Sequence, residues 1–144
     1  MIYTIGYQKR TITEIVNIMD AKDIGLLVDV RSVPYSRHPS KHEFNRNRLL
    51  PLLSSRYLWL GDICGGKQGP VTDNCIDRLE KYVGQTTIML MCMENHPCDC
   101  HRLCDIARRL RTRGHEAVHL FDGHEATTDE LTEEACNERK TQTR

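Results

Sequence analysis

Six consecutive apolar residues, Ile88–Met93, form the longest such run in the chain. A strand with one face in water alternates apolar and polar side chains, so an unbroken run fits a strand buried on both faces. Such a strand needs a layer above it and a layer below it. That requirement selects a mostly parallel sheet covered by helices on both sides. The run is also far too short to cross a bilayer, which takes about 20 apolar residues.

The rest of the chain agrees. Ile2–Ile5, Leu26–Val30, Tyr57–Leu60, Thr87–Cys92 and Ala117–Phe121 read as strands. Ile12–Lys22, Asn45–Leu53, Thr72–Val83, Cys100–Arg113 and Thr128–Asn137 read as helices. Thr11 or Thr13 can cap the first helix, and Gly114 stands where a helix C-terminal glycine belongs. In Cys100–Arg113 the residues Cys104, Ile106, Ala107 and Leu110 form one apolar stripe. The expected fold is α/β, a single three-layer domain with a mostly parallel five-stranded sheet flanked by helices. It occupies residues 1–124, with an acidic C-terminal helix and frayed tail over 125–144.

Charge excludes little by itself. Lys and Arg total 20 and Asp and Glu total 20, so the formal net charge is zero. Bulk attraction to nucleic acid or to a membrane surface therefore has no support. No basic leader precedes the first strand, and the seven cysteines are odd in number. Both point to a cytoplasmic protein with reduced thiols rather than a disulfide scaffold.

In open α/β sheets, ligands bind beyond the carboxyl ends of the strands. The unusual residues of this chain follow strand ends. They are Gly6 to Lys9, Arg31 to Arg37, Gly61 to Lys67, Cys92 with Glu94, and Asp122 to His124. A parallel sheet would bring all five sets to one rim. The loop from Arg31 to Arg48 holds Arg31, Arg37, Lys41, Arg46 and Arg48 against the single acid Glu43, a local excess of four charges. Guanidinium forks suit phosphate or carboxylate. The plainer alternative is a solvated loop balanced by acids elsewhere. Asp29 interrupts an apolar strand, and a buried carboxylate is costly unless paired. Arg31 lies two residues on and shares its face. The pair either braces the loop or holds a group at the strand mouth.

The segment from Cys92 to Arg102 admits three chemistries. Cys92 could be a nucleophile, since the thiolate is the reactive form. Cys92, Cys98, Cys100 and His101 could ligate zinc. Or the thiols are small core residues, as reduced cysteines often are. Cys104 fits that last reading best, and Cys64, Cys75 and Cys136 carry no functional argument. Several signatures fail. The residue six after Cys92 is Cys98, not the arginine of phosphatases and rhodanese-like enzymes. No C-x-x-C is present. Gly61–Gln68 misses a phosphate-binding loop at Gln68, which stands where Ser or Thr would hold magnesium. No cofactor motif is complete.

The segments Thr4–Tyr7, Leu27–Arg37, Phe44-Asn45, Leu60–Gly66, Cys92-Met-Glu94, Cys100-His101-Arg102 and Arg113–Leu120 together resemble the domain-of-unknown-function 488 family. They follow the family's order. The resemblance implies a compact α/β domain and no settled activity. It carries Asp29, Arg31, Ser32, Pro34, Ser36, Arg37, Cys92, Glu94, Cys100, His101 and Arg102 over as site residues. Tyr7 departs where the family often has histidine. The insertion Asn95–Asp99 adds Cys98 and His96, so a metal site could be peculiar to this chain.

The expected function is an enzyme on an anionic, phosphate-bearing substrate, with a nucleotide or nucleic acid among the candidates, at the carboxyl rim of the sheet. Cys92, Glu94, His101 and Asp29 are the expected catalytic residues. Arg31, Ser32, Ser36, Arg37 and Arg102 are the expected substrate-binding ones. The alternatives are a non-catalytic nucleic-acid-binding module, with Arg102, Arg108, Arg109, Arg111 and Arg113 extending a basic patch, or a zinc-stabilised domain. Depth separates the first two: an enclosed pocket containing Cys92 favours an enzyme, a flat basic face a binder.

Overall fold

A computed structural model of the chain describes residues 1–142. The apolar run forms β4 (Ile88–Cys92), and all five of its residues are buried. It lies between β1 (Ile2–Gly6) and β2 (Leu26–Asp29), parallel to both. Outside β2 is β3 (Tyr57–Trp59), and outside β1 is β5 (Ala117–Phe121), again parallel. The sheet order is β3-β2-β4-β1-β5-β6.

The sixth strand, β6 (His124–Thr127), is antiparallel to β5 and corrects the expected count of five. Asp122 and Gly123 form the turn between them, with φ of 50° and 73°. Two successive positive φ values are what a two-residue hairpin turn requires, and Asp-Gly is a favoured pair for it. These residues therefore close a hairpin.

Side chains alternate across β4 and feed two cores. Met89 and Met91 pack with Ile15 and Met19 of α1 (Ile12–Ala21), with Phe44, and with Leu49 of α2 (Arg46–Leu53). Ile88, Leu90 and Cys92 pack on the other face, under α3 (Gly61–Cys64), α4 (Asp73–Val83) and α5 (Arg108–Thr112). Thr11 caps α1, its hydroxyl accepting from the Glu14 amide at 3.2 Å. Gly114 follows α5 with φ of 89°, as a helix-ending glycine does.

Two helical expectations shift. A π-helical stretch, Arg102–Ala107, leads into α5. Its wider turn carries an extra residue, so the buried stripe runs through Leu103, Ile106, Ala107 and Leu110, and Cys104 is exposed. The last helix, α6 (Glu133–Gln142), starts later than the sequence suggested. The Thr132 hydroxyl accepts from the Ala135 amide at 3.1 Å at its start. Thr128, expected inside that helix, is buried against His119 instead.

The expectation of uniformly reduced thiols is also corrected. Cys64 pairs with Cys75 and Cys98 with Cys136, at Cα separations of 5.3 and 5.4 Å. The second bridge ties α6 to the loop after β4. Cys92, Cys100 and Cys104 are free thiols.

Candidate functional site

A cleft of about 830 Å³ opens beyond the carboxyl ends of β1, β2 and β4. Arg31, Ser32, Ser36, Arg37 and Lys67 line it together with Cys92, Glu94 and His101. Val33, Tyr35 and Met93 are exposed apolar residues at its edge. Of the nine residues expected at the site, seven meet here. Asp29 and Arg102 do not line the cleft.

Asp29 is fully buried. Its carboxylate takes two bonds from Arg31, Nε to Oδ1 at 2.8 Å and Nη2 to Oδ2 at 2.7 Å, and the Tyr57 hydroxyl donates to Oδ2 at 2.5 Å. Burial opposes the Arg31 charge, but these bonds outweigh it and hold the guanidinium pKa above its ordinary value. Burial and then the Asp29 charge push the Tyr57 phenol up. Arg31 also donates to the Phe44 carbonyl at 2.6 Å, and the Tyr7 ring lies beneath it at 5.0 Å. Its Nη1 is buried and has no partner. Asp29 thus positions Arg31, which lines the cleft and keeps one unused donor.

The rest of the basic loop is largely committed. Lys41 Nζ donates to the carbonyls of Tyr7 and Arg10 at 3.2 and 2.9 Å. The Arg46 guanidinium sits 4.9 Å from the Trp59 ring centre. Arg37 is exposed at the cleft. The Ser32 hydroxyl accepts from the Lys67 amide at 3.1 Å and ties the loops after β2 and β3 together. Ser36 is held through its amide, which donates to Asn45 Oδ1 at 2.7 Å.

Arg102 is wholly buried. It donates to the carbonyls of Glu94 and Asn95 at 2.6 and 3.1 Å and to the Thr4 hydroxyl at 3.3 Å. The expected substrate contact is corrected to a brace that holds the loop after β4. The π-helical turn that begins at Arg102 places it inside the core. Gly6 completes the loop's seat, because a Cβ there would overlap the Glu94 carbonyl.

The Sγ of Cys92 and Cys100 lie 4.0 and 3.7 Å from His101 Nδ1. His101 Nε2 faces two carbonyls, Cys64 at 2.9 Å and Val30 at 3.1 Å. Carbonyls only accept, so Nε2 carries a proton and Nδ1 is the nitrogen turned to the sulfurs. A Cβ on Gly66 would come within 3.0 Å of the His101 ring, so the glycine admits the imidazole. The neighbouring Cys92 thiol, with His101 helping, holds the Cys100 pKa below its ordinary value. The neighbouring Cys100, with burial, pushes Cys92 up. Burial works against the His101 charge, but Cys100 raises its pKa overall. Burial and then the Cys100 charge push Glu94 up. Glu94 Oε2 is buried without a partner. Cys98, expected beside Cys92 and Cys100, is removed from this group by its bridge to Cys136.

The basic patch expected on the next helix is neutralised. Arg109 bonds Asp105 at 3.0 Å. Arg111 bonds Asp129 at 2.9 and 3.0 Å, and Arg113 bonds Asp77 at 2.6 Å. Arg108 donates to the Leu131 carbonyl. No helix among the described residues is long and apolar enough to cross a membrane.

Sequence reasoning missed Thr4 and His119, a buried pair hydrogen-bonded at 2.6 Å beneath Arg102. A histidine inside an apolar strand was the available signal. No curated protein and no solved structure matches the chain. The family model described as "Domain of unknown function DUF488" matches residues 11–74, a stretch holding Asp29, Arg31, Ser32, Ser36 and Arg37 but not Cys92, Glu94, Cys100 and His101, and over that stretch the chain is similar to the family.

Proposed function

We propose that this protein is an enzyme acting on an anionic, phosphate-bearing substrate held in the cleft. The observation that carries the reading is the meeting of two chemistries in one concave site. A buried arginine with an unused donor, Arg37 and Lys67 line the same cleft as a thiol, an imidazole and a carboxylate. Arg31, Arg37 and Lys67 bind the anion, with Ser32 and Ser36 shaping the loop that carries them. Cys92, Glu94 and His101 supply the chemistry, and Glu94 is the proton carrier. Asp29 and Arg102 are positioning residues.

A cleft containing Cys92 favours an enzyme over a flat nucleic-acid binder, and the paired arginines of α5 remove the patch such a binder would use. The setting we infer is cytoplasmic. Disulfides are rare there, so Cys64–Cys75 and Cys98–Cys136 are exceptions that thiol trapping in cells should find oxidised.

The test has a binding arm and a turnover arm. Titration calorimetry with inorganic phosphate at low salt should show saturable binding. The double substitution Arg37→Ala with Lys67→Ala should weaken it at least tenfold, about 1.4 kcal/mol. A panel of chromogenic phosphate mono- and diesters should give turnover that falls on Cys92→Ala and on Arg31→Lys. Absent phosphate binding, or turnover indifferent to both single changes, overturns the assignment.

A further inference from the structure

Three donors of the metal-binding kind converge at the cleft. The sulfurs of Cys92 and Cys100 and one nitrogen of His101 all lie within 4.8 Å of one another. We propose that these three residues hold a zinc ion, with its fourth coordination position open to the cleft.

The distances fit. Zinc–sulfur bonds of about 2.3 Å and zinc–nitrogen bonds of about 2.05 Å put S and N about 3.6 Å apart in a tetrahedron. The observed separations are 3.7 and 4.0 Å. Sub-ångström side-chain adjustments close the difference.

The histidine is also prepared for the role. Metal-bound imidazoles commonly donate their other N–H to a carbonyl or carboxylate, which fixes the tautomer and the ring. His101 Nε2 does so to the carbonyls of Cys64 and Val30, leaving Nδ1 directed at the two sulfurs. The ring is further set by the close approach of Gly66. A histidine serving only as a packed core residue has no need of two backbone acceptors on one nitrogen and two sulfurs on the other.

The donor set selects the ion. Two thiolates and an imidazole favour zinc over magnesium or calcium, which prefer oxygen. Two thiolates also balance Zn²⁺ in charge, so the ion adds no repulsion towards Arg31 in the same cleft.

The fourth position is where this site differs from a structural one. Closed zinc sites use four protein ligands, and sites that bind substrate keep three plus an exchangeable one. Cys98, the fourth ligand suggested by sequence, is tied to Cys136. What remains at the opening is the cleft itself and Glu94, whose Oε2 is buried and unpartnered. A water or substrate oxygen on the metal would give that carboxylate a hydrogen-bond partner. That the ion serves catalysis rests on the anion-binding enzyme reading above. That the three residues bind an ion does not.

The experiment uses the full chain. Protein expressed with zinc is analysed for metal, then stripped and titrated with Co²⁺ as a spectroscopic probe. One equivalent of zinc is expected, and the cobalt form should show thiolate charge-transfer absorption and the intense visible bands of a tetrahedral site. Cys100→Ser and His101→Ala should each lower Co²⁺ affinity at least tenfold. Cys98→Ser and Cys104→Ser should leave it unchanged. No stoichiometric zinc together with no cobalt charge-transfer band in the wild-type chain overturns the proposal, and this arm needs no variant to fold. Loss of binding in Cys98→Ser overturns the open position in favour of a closed four-ligand site. Phosphate binding that survives metal removal, beside a failed metal titration, leaves the enzyme reading standing without zinc. Full zinc occupancy with no phosphate binding does the reverse.

Discussion

Arg31 and Arg102 are both buried cations, and the fold treats them in opposite ways. Arg31 is matched to a carboxylate, with Asp29 taking two of its nitrogens. Arg102 meets only carbonyls and a hydroxyl, and no carboxylate among the described residues forms an ion pair with it. The first pair is close to neutral, so its role is positional: it fixes the guanidinium at the cleft with one N–H unused. The second leaves a net positive charge inside the core, beneath the sheet end that carries Cys92. That charge is felt by its neighbours. It favours the charged form of Cys100 and disfavours protonation of His119. One arginine therefore sets geometry and the other sets local potential.

Breaking the matched pair should have the largest effect. Arg31→Ala leaves the Asp29 carboxylate buried without its cation, with only the Tyr57 hydroxyl and the amide of residue 31 donating to it. Removing one member of a buried pair typically costs about 3–5 kcal/mol, because the other charge is stranded. Chemical denaturation should show a loss of that order. Arg31→Met combined with Asp29→Asn should recover much of it, because no bare charge then remains. A double variant no more stable than Arg31→Ala would mean that the pair is not the reason for the loss.

Arg102→Met should cost somewhat less, on the order of 2–4 kcal/mol. It strands the carbonyls of Glu94 and Asn95, at about 1–3 kcal/mol for a buried unsatisfied group, and leaves the Thr4 hydroxyl with His119 alone, but it leaves no charge behind. It should also loosen the loop after β4, read as faster amide exchange at Gln8, whose N–H bonds the Met93 carbonyl. Equal exchange in both proteins would remove the bracing role.

These two arginines also mark what the sequence could and could not convey. The Asp29–Arg31 pair was legible because strand geometry is strictly periodic, so two residues on means the same face. The central strand was legible from an apolar run that nothing but double burial explains. Arg102 was not legible, because its neighbours Cys100 and His101 do face the cleft and only the π-helical turn directs it inward. That turn also moved Cys104 out of the apolar stripe. The disulfide Cys98–Cys136 joins residues 38 apart in sequence, and no local pattern encodes such a contact. The hairpin at Asp122-Gly123 carried a recognisable turn signal. It was read with the rim because five strand ends in series made a simpler pattern than a sixth strand.

The smallest expected effect is the sharpest test of Arg102 as a source of potential. A chain of hydrogen bonds fixes the protons here. Arg102 Nε donates to the Thr4 hydroxyl, so that hydroxyl donates onward to His119 Nδ1. Nε2 then carries the proton and donates to the Thr128 hydroxyl at 3.0 Å. Protonating Nδ1 would set two donors against each other in a buried site. Burial, then Arg102, push the His119 pKa down to about 3. Its unfolded value is about 6.5, so as pH falls below that only the unfolded chain takes up the proton and stability is lost. From pH 7 to pH 5 the expected loss is about 2 kcal/mol. His119→Gln keeps a hydrogen-bonding side chain and removes the titration, so its stability should fall less over that interval by about the same amount. In Arg102→Met the His119 pKa, followed by NMR, should rise towards its ordinary value, while Arg31→Met with Asp29→Asn should leave it in place. A His119 that titrates alike in all three proteins would mean that burial alone governs it, and that the unmatched charge of Arg102 does not reach beyond the groups it touches.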